Sequence, residues 1–113
     1  MKMLVCEPLP TEGYGNVSVR NVDAAARMAM KYFGDEVEVV EMKTTDVDAK
    51  RKSVFAFGAM LQLLAEADIV YFVGGYEDYR SCELIRDYVE NNGIACIDHD
   101  PYTWMSLHIK SSS

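Results

Sequence analysis

The sequence predicts an α/β domain: a three-layer sandwich on a four- to five-stranded, mainly parallel sheet. Three observations lead there. Short apolar runs alternate with stretches of helical spacing along most of the chain. The run at 69–73 (IVYFV) is continuous rather than alternating, as in a central strand covered on both faces. Glycine stands directly after two of the helical stretches, at Gly34 and Gly93. A βαβαβαβ order calls for parallel strands, right-handed crossovers and helices on both faces.

Lys2–Cys6 reads as a first strand, stopped by Glu7-Pro8. Residues 7–17 (EPLPTEGYGNV) carry two prolines and two glycines. This loop is longer than the usual strand–helix connection, which makes it a candidate functional loop. From Ser18, the residues Val19, Val22, Ala26, Ala29 and Phe33 recur at helical spacing. Val37, Val39 and Val40 with Met42 predict a second strand. Thr45, Asp46 and Asp48 offer N-caps for a second helix, whose packing face is expected at Val54, Phe57, Leu61 and Leu64. Gly58 lies inside that helix at a cost of about 1 kcal/mol against alanine, which predicts close packing on a neighbour.

Ile69–Val73 is the third strand. Leu84, Ile85, Tyr88 and Val89 mark the packing face of a third helix, and Ile94–Ile97 is the fourth strand. The segment PYTWMSLHI alternates Tyr102, Trp104, Ser106 and His108 against Thr103, Met105, Leu107 and Ile109. That suits a fifth strand with an aromatic face, a short helix being the alternative. Residues 1–110 are expected to form one domain and Ser111–Ser113 a disordered tail.

The simplest wiring of these elements is the Rossmann-like (flavodoxin-like) order 2-1-3-4(-5). Ligands of such sheets bind beyond the strands' C-terminal ends, where strand order reverses, here between strands 1 and 3. The loops that meet there are 7–17 and 74–81.

Composition narrows the ligand. Eighteen acids against eleven bases give a formal charge of −7, which repels a phosphate backbone and argues against nucleic acid. Three cysteines (Cys6, Cys82, Cys96), two of them in apolar runs, predict free thiols and a reducing, cytoplasmic setting. The N-terminal apolar run, cut by Glu7 and Pro8, is too short for a signal peptide, and no run approaches a membrane span. No Walker loop is present, and GYGNVS does not satisfy the dinucleotide fingerprint. His99 lies in DHD just past strand 4, but its spacing matches no recognised ligand pattern. Neither a metal nor a cofactor is expected.

Within FVGGYEDYRSCELI (72–85), Gly74 and Gly75 allow a tight turn or close approach of backbone N–H groups to a ligand. Ser81 reads as an N-cap rather than a nucleophile, since no histidine lies near it in sequence. Cys82 reads as structural. Glu77 and Asp78 suit ribose hydroxyls or solvent. Tyr76 and Tyr79 suit stacking on a base or packing with Tyr14.

The segment ADIVYFVGGYEDYRSCELIRDYVENNGI resembles the nucleoside 2-deoxyribosyltransferase-like superfamily, nearest to its small phage and bacterial branch. That branch reads Asp, an apolar strand, Gly-Trp-x-x-Ser-Arg-Gly-Cys-x-x-Glu and, eight residues on, Gly-Ile. Asp68, Gly75, Tyr76, Arg80, Cys82, Gly93 and Ile94 fall in register without a gap. Cys6-Glu7-Pro8 stands where the family has a small residue, Gly and Pro, and FGAMLQLLAEAD resembles the helix ahead of strand 3.

The resemblance implies N-glycosidic bond chemistry by a nucleophilic glutamate in the first turn of the third helix. Here that place is held by Ile85. Tyr79 replaces the family's Ser or Asp, Ser81 its small glycine, and Glu7 the Gly before the proline. Glu83, two residues away, is rotated by about 200° from Ile85.

The expectation is a nucleoside- or nucleotide-binding domain that binds or sequesters its ligand without turnover. Glu7, Pro8, Gly74, Gly75, Tyr76, Asp78, Tyr79, Arg80 and Ser81 would form the site. Arg80 and the helix N-terminus would meet a phosphate. An active N-glycosidase using Glu7, Asp78 or Glu83 is the first alternative. The second is an interaction or inhibitor module with a protein target, contacting it through Tyr102, Trp104 and the loop tyrosines. The resemblance also implies a homo-oligomer.

Overall fold

The computed structural model describes residues 1–9, 20–41, 50–100 and 104–108, with the backbone alone for 99–100 and 104–108. The elements are β1 (Lys2–Cys6), α1 (Val22–Phe33), β2 (Glu38–Val40), α2 (Lys52–Ala65), β3 (Ile69–Phe72), α3 (Arg80–Asn91), β4 (Ala95–Asp100) and β5 (Trp104–His108). The sheet order is β2-β1-β3-β4-β5. The first four strands are parallel and β5 runs antiparallel to β4. This is the Rossmann-like arrangement that the alternation of elements predicts.

The central strands alternate between the two layers. Met3, Val5, Ile69, Tyr71, Val73, Ala95 and Ile97 face α1, meeting Ala25 and Ala29. Leu4, Cys6, Val70, Phe72 and Cys96 face α2 and α3, meeting Met60, Leu64, Cys82, Ile85 and Val89. The small alanines let α1 lie close to the sheet, while bulkier side chains fill the other layer.

Helix ends follow local chemistry. The Asn21 side chain accepts from the Ala24 N–H at 3.1 Å and starts α1, later than the spacing from Ser18 suggests. At the other end Gly34 takes the left-handed conformation (φ 69°) and its N–H donates to the Met30 carbonyl.

Several inward faces differ in phase from the sequence reading. In α1 the buried stripe is Ala25 and Ala29, and Phe33 is exposed. In α2 it is Met60 and Leu64, with Phe57 and Leu61 partly buried, while Val54 is exposed. In α3 it is Ser81, Cys82, Ile85 and Val89, and Tyr88 is exposed. The second strand shrinks to three residues. The fourth extends to Asp100, because β5 pairs along it as far as Asp100↔Trp104. The proposed caps Thr45, Asp46 and Asp48, and Val19, Met42 and the 111–113 tail, lie outside the described residues.

Gly58 corrects another expectation. A Cβ built there meets nothing within 4 Å among the described residues, whose packing does not account for this glycine. Gly58→Ala should therefore raise stability by about 0.5–1 kcal/mol, read as a higher urea midpoint at unchanged slope.

Candidate functional site

Strands β1 and β3 stay paired to their ends, Cys6 facing Phe72 and the Val73 N–H donating to the Cys6 carbonyl at 3.3 Å. Beyond that edge the chain leaves β1 at Glu7 and β3 at Gly74. These are the two departures that reversal of strand order brings together. Loop residues 10–17, with Tyr14, are outside the described set.

After β3, Gly74 is buried and Gly75 is left-handed at φ 86°. Tyr76–Asp78 form a single 3-10 turn, closed by the Asp78 N–H on the Gly75 carbonyl and the Tyr79 N–H on the Tyr76 carbonyl. A side chain at 75 would impose a left-handed penalty of about 1–2 kcal/mol, so glycine is required there by the turn itself.

Helix α3 then begins at Arg80 with extended Tyr79 as its N-cap residue. The Tyr79 side chain makes no capping bond, and Ser81 is not the N-cap that the sequence suggested. Ser81 is buried in the first turn instead. Tyr79 and Cys82 also turn into the core layer, beside Ile85. The structural reading of Cys82 agrees with that place.

The polar loop residues divide by exposure. Glu77 and Asp78 are exposed. Arg80 is 75% exposed and pairs with Glu83 at 3.4 Å, an i,i+3 surface contact worth about 0–1 kcal/mol. Glu83 thus points outward, as its rotation from Ile85 predicts. Ile85 has 0% exposure. Pro8 and Leu9 fold inward after β1.

Two polar clusters flank this edge, and neither was read from sequence. On the α1 side, Arg20 grips the Glu7 carboxylate through Nε (2.9 Å) and Nη2 (3.4 Å) and also contacts Glu41. Arg20 thereby ties the entry of α1 to the ends of β1 and β2. Beneath it the buried Tyr71 hydroxyl accepts from the Asn21 N–H at 2.9 Å. Burial pushes the Tyr71 pKa up, and the Asn21 hydrogen bond and the Arg20 charge oppose that.

On the α3 side, Arg86 Nη1 meets Asp98 at 2.5 Å and Nε meets Glu90 at 3.1 Å. The guanidinium also lies 5.0 Å from the Phe72 ring centroid. Burial disfavours the Arg86 charge, but the Asp98 hydrogen bond and charge outweigh it and raise the pKa. Tyr76 packs on Phe72 (centroids 4.9 Å apart) and touches both core layers, closing over the top of β3. The Arg86–Glu90 spacing is a legible helical pair, whereas the reach of Arg86 to β4 depends on tertiary packing.

Burial also sets an alkaline limit. It pushes the Cys96 thiol from 9.0 to about 11, and it pushes Tyr76 from 10.0 to about 12 with help from the Asp98 charge. Between pH 9 and about 11 the unfolded chain releases the Cys96 proton while the folded chain keeps it. This contribution is therefore complete below pH 9 and lost as pH rises towards 11, with Tyr76 adding to the loss from pH 10. Urea midpoints should fall over that range, and Cys96→Ala should flatten the early part of the decline.

Among the described residues, no group of three or more His, Cys, Asp or Glu side chains is placed to hold a metal. No helix among them is long and apolar enough to cross a membrane. The side chains of His99, Tyr102, Trp104 and His108 lie outside the described set. Comparisons with protein-family models, with curated proteins and with solved structures find no match for this chain.

Proposed function

We propose that this chain is a nucleoside- or nucleotide-binding domain of the deoxyribosyltransferase-like kind that holds its ligand without cutting it. The carrying observation is Ile85. The position at which the resemblance puts a nucleophilic carboxylate is a fully buried aliphatic side chain among Leu4, Phe72, Cys82 and Val89. An oxocarbenium-like transition state needs an ionised oxygen beside the anomeric carbon, and Ile85 supplies none.

Binding is supported by the surroundings. The edge lies at the reversal point favoured by ligands of such sheets. The left-handed Gly75 turn leads into the N-terminus of α3, whose N-cap residue Tyr79 makes no side-chain capping bond, a place suited to a phosphate. Arg80 is exposed and only loosely held by Glu83, so it is free to exchange that partner for an anion. Asp78 is exposed nearby in sequence for ribose hydroxyls. Tyr79, buried, takes the packing role, and Tyr76 remains the candidate for stacking.

A thermal-shift screen of nucleosides, nucleoside monophosphates and cyclic nucleotides tests this reading. A ligand at about 100 times its Kd should stabilise the fold by about 2.7 kcal/mol. Absence of any shift across the panel would refute binding.

The specific alternative is a rearranged glycosidase using Glu7. This carboxylate sits at the end of β1, held in an ordered pose by Arg20, whereas Glu83 faces outward. Base release abolished in Glu7→Gln but retained in Asp78→Asn and Glu83→Gln would favour it.

A further inference from the structure

We infer that the outer edge of β2 is a docking strand for an extended basic segment of a partner protein. Three features of the edge carry this, and none belongs to the site at the reversal.

The first is open backbone. β2 is the outer strand, with β1 as its neighbour and the register Lys2↔Glu38, Met3↔Val39, Leu4↔Val40. The Glu38 N–H donates inward to the Met1 carbonyl at 2.8 Å. In a parallel ladder alternate residues face alternate sides, so the N–H and C=O of Val39 point away from β1. Among the described residues they have no partner.

The second is the side chain between those groups. Val39 is 38% exposed on a strand that otherwise packs inward through Val40. The last turn of α1 runs into β2 and exposes Met30, Tyr32 and Phe33 as well.

The third is charge. Asp35, Glu36, Glu38 and Glu41 put four carboxylates into seven residues. Asp35 is met by the N-terminal ammonium at 3.8 Å, and Glu41 by Arg20. Glu38 opens β2 and Glu36 lies two residues before it; both are exposed and have no cationic partner among the described residues.

This pattern chooses among occupants. A second copy pairing antiparallel about Val39 would set Glu38 against Val40, so it offers that glutamate no cation. The edge gains no ion pair from a second copy but matches a strand carrying Lys or Arg at alternate positions. Main-chain bonds from Val39 would supply affinity and the glutamates would select the sequence.

The test uses the whole chain and a short capped peptide alternating lysine and valine, with a glutamate–valine peptide as control. Residue-resolved amide exchange is the readout. The lysine peptide should slow exchange at Val39 by about tenfold or more, and high salt should remove most of that protection as the screening length falls to about 3 Å. The double variant Glu36→Lys/Glu38→Lys, on exposed positions that leave the core intact, should exchange the preference for the glutamate peptide. Equal protection by both peptides, no protection at Val39, or self-association through β2 would each overturn the inference.

Discussion

Replacing Ile85 with glutamate is expected to abolish cooperative folding at neutral pH. Ile85 is fully buried between Leu4 and Cys6 of the sheet and Cys82 and Val89 of its own helix, a layer lined by apolar side chains and thiols. Arg86, over Phe72 in the same layer, is already held by Asp98 and Glu90, so an ionised carboxylate placed there must either become protonated or open the layer. An uncompensated buried charge costs about 3–5 kcal/mol, and the lost isoleucine packing adds to it. A domain of this size has about 5–15 kcal/mol in total.

The variant should regain stability on acidification. Burial raises the folded-state pKa of the introduced carboxyl above the unfolded value of about 4.3. Its stability is then greatest below that value and declines as pH rises through the folded pKa. Ile85→Val, which removes one methyl group, should cost only about 0.5–1.5 kcal/mol. Urea unfolding at two pH values separates these outcomes. If Ile85→Glu is as stable as the parent at pH 7, the position opens into a hollow and is not core.

The second large effect is expected at Arg86, the residue that fastens α3 to β4. Its side chain is 19% exposed and that of Asp98 16%, so solvent replaces little of what either loses. Arg86→Met keeps the aliphatic packing on Phe72 but removes the guanidinium charge from the Asp98 carboxylate. The cost should be about 2–4 kcal/mol, somewhat below a fully buried pair. Arg86→Lys should recover part of this, because an ammonium cannot bridge Asp98 and Glu90 as a guanidinium fork does. Adding Asp98→Asn to Arg86→Met should restore more than half of the loss, since the carboxylate charge that Arg86 balanced is then gone. A single-variant cost below about 0.5 kcal/mol would reduce the pair to an ordinary surface contact.

The strands were legible because periodicity and β-branching report burial directly. The run IVYFV could only be a covered strand, and crossover rules then ordered the sheet. The helix faces were less legible for a physical reason. In α2 the apolar residues occupy several phases of the 3.6-residue period, so Val54 and Leu64 look equivalent in sequence although only Leu64 meets the sheet. In α3 the small side chains of Ser81 and Cys82, rather than Leu84 and Tyr88, let the helix approach.

At the candidate site, the location of both loop departures followed from topology. The Glu7–Arg20–Glu41 and Arg86–Asp98 clusters did not, because each joins residues from separate elements. Only folding gives Arg20, alone in sequence, two carboxylates to hold. Tyr79 shows the opposite case. A polar motif drew attention to it, yet its ring is spent on the core.

Base release from nucleosides and nucleoside monophosphates by the purified chain is the most direct test of the account. With an isoleucine sealed into the layer where a carboxylate nucleophile would stand, prolonged incubation should liberate no free base above the spontaneous rate, even with a ligand that stabilises the fold. Sustained release that scales with protein concentration and disappears in Glu7→Gln would contradict it.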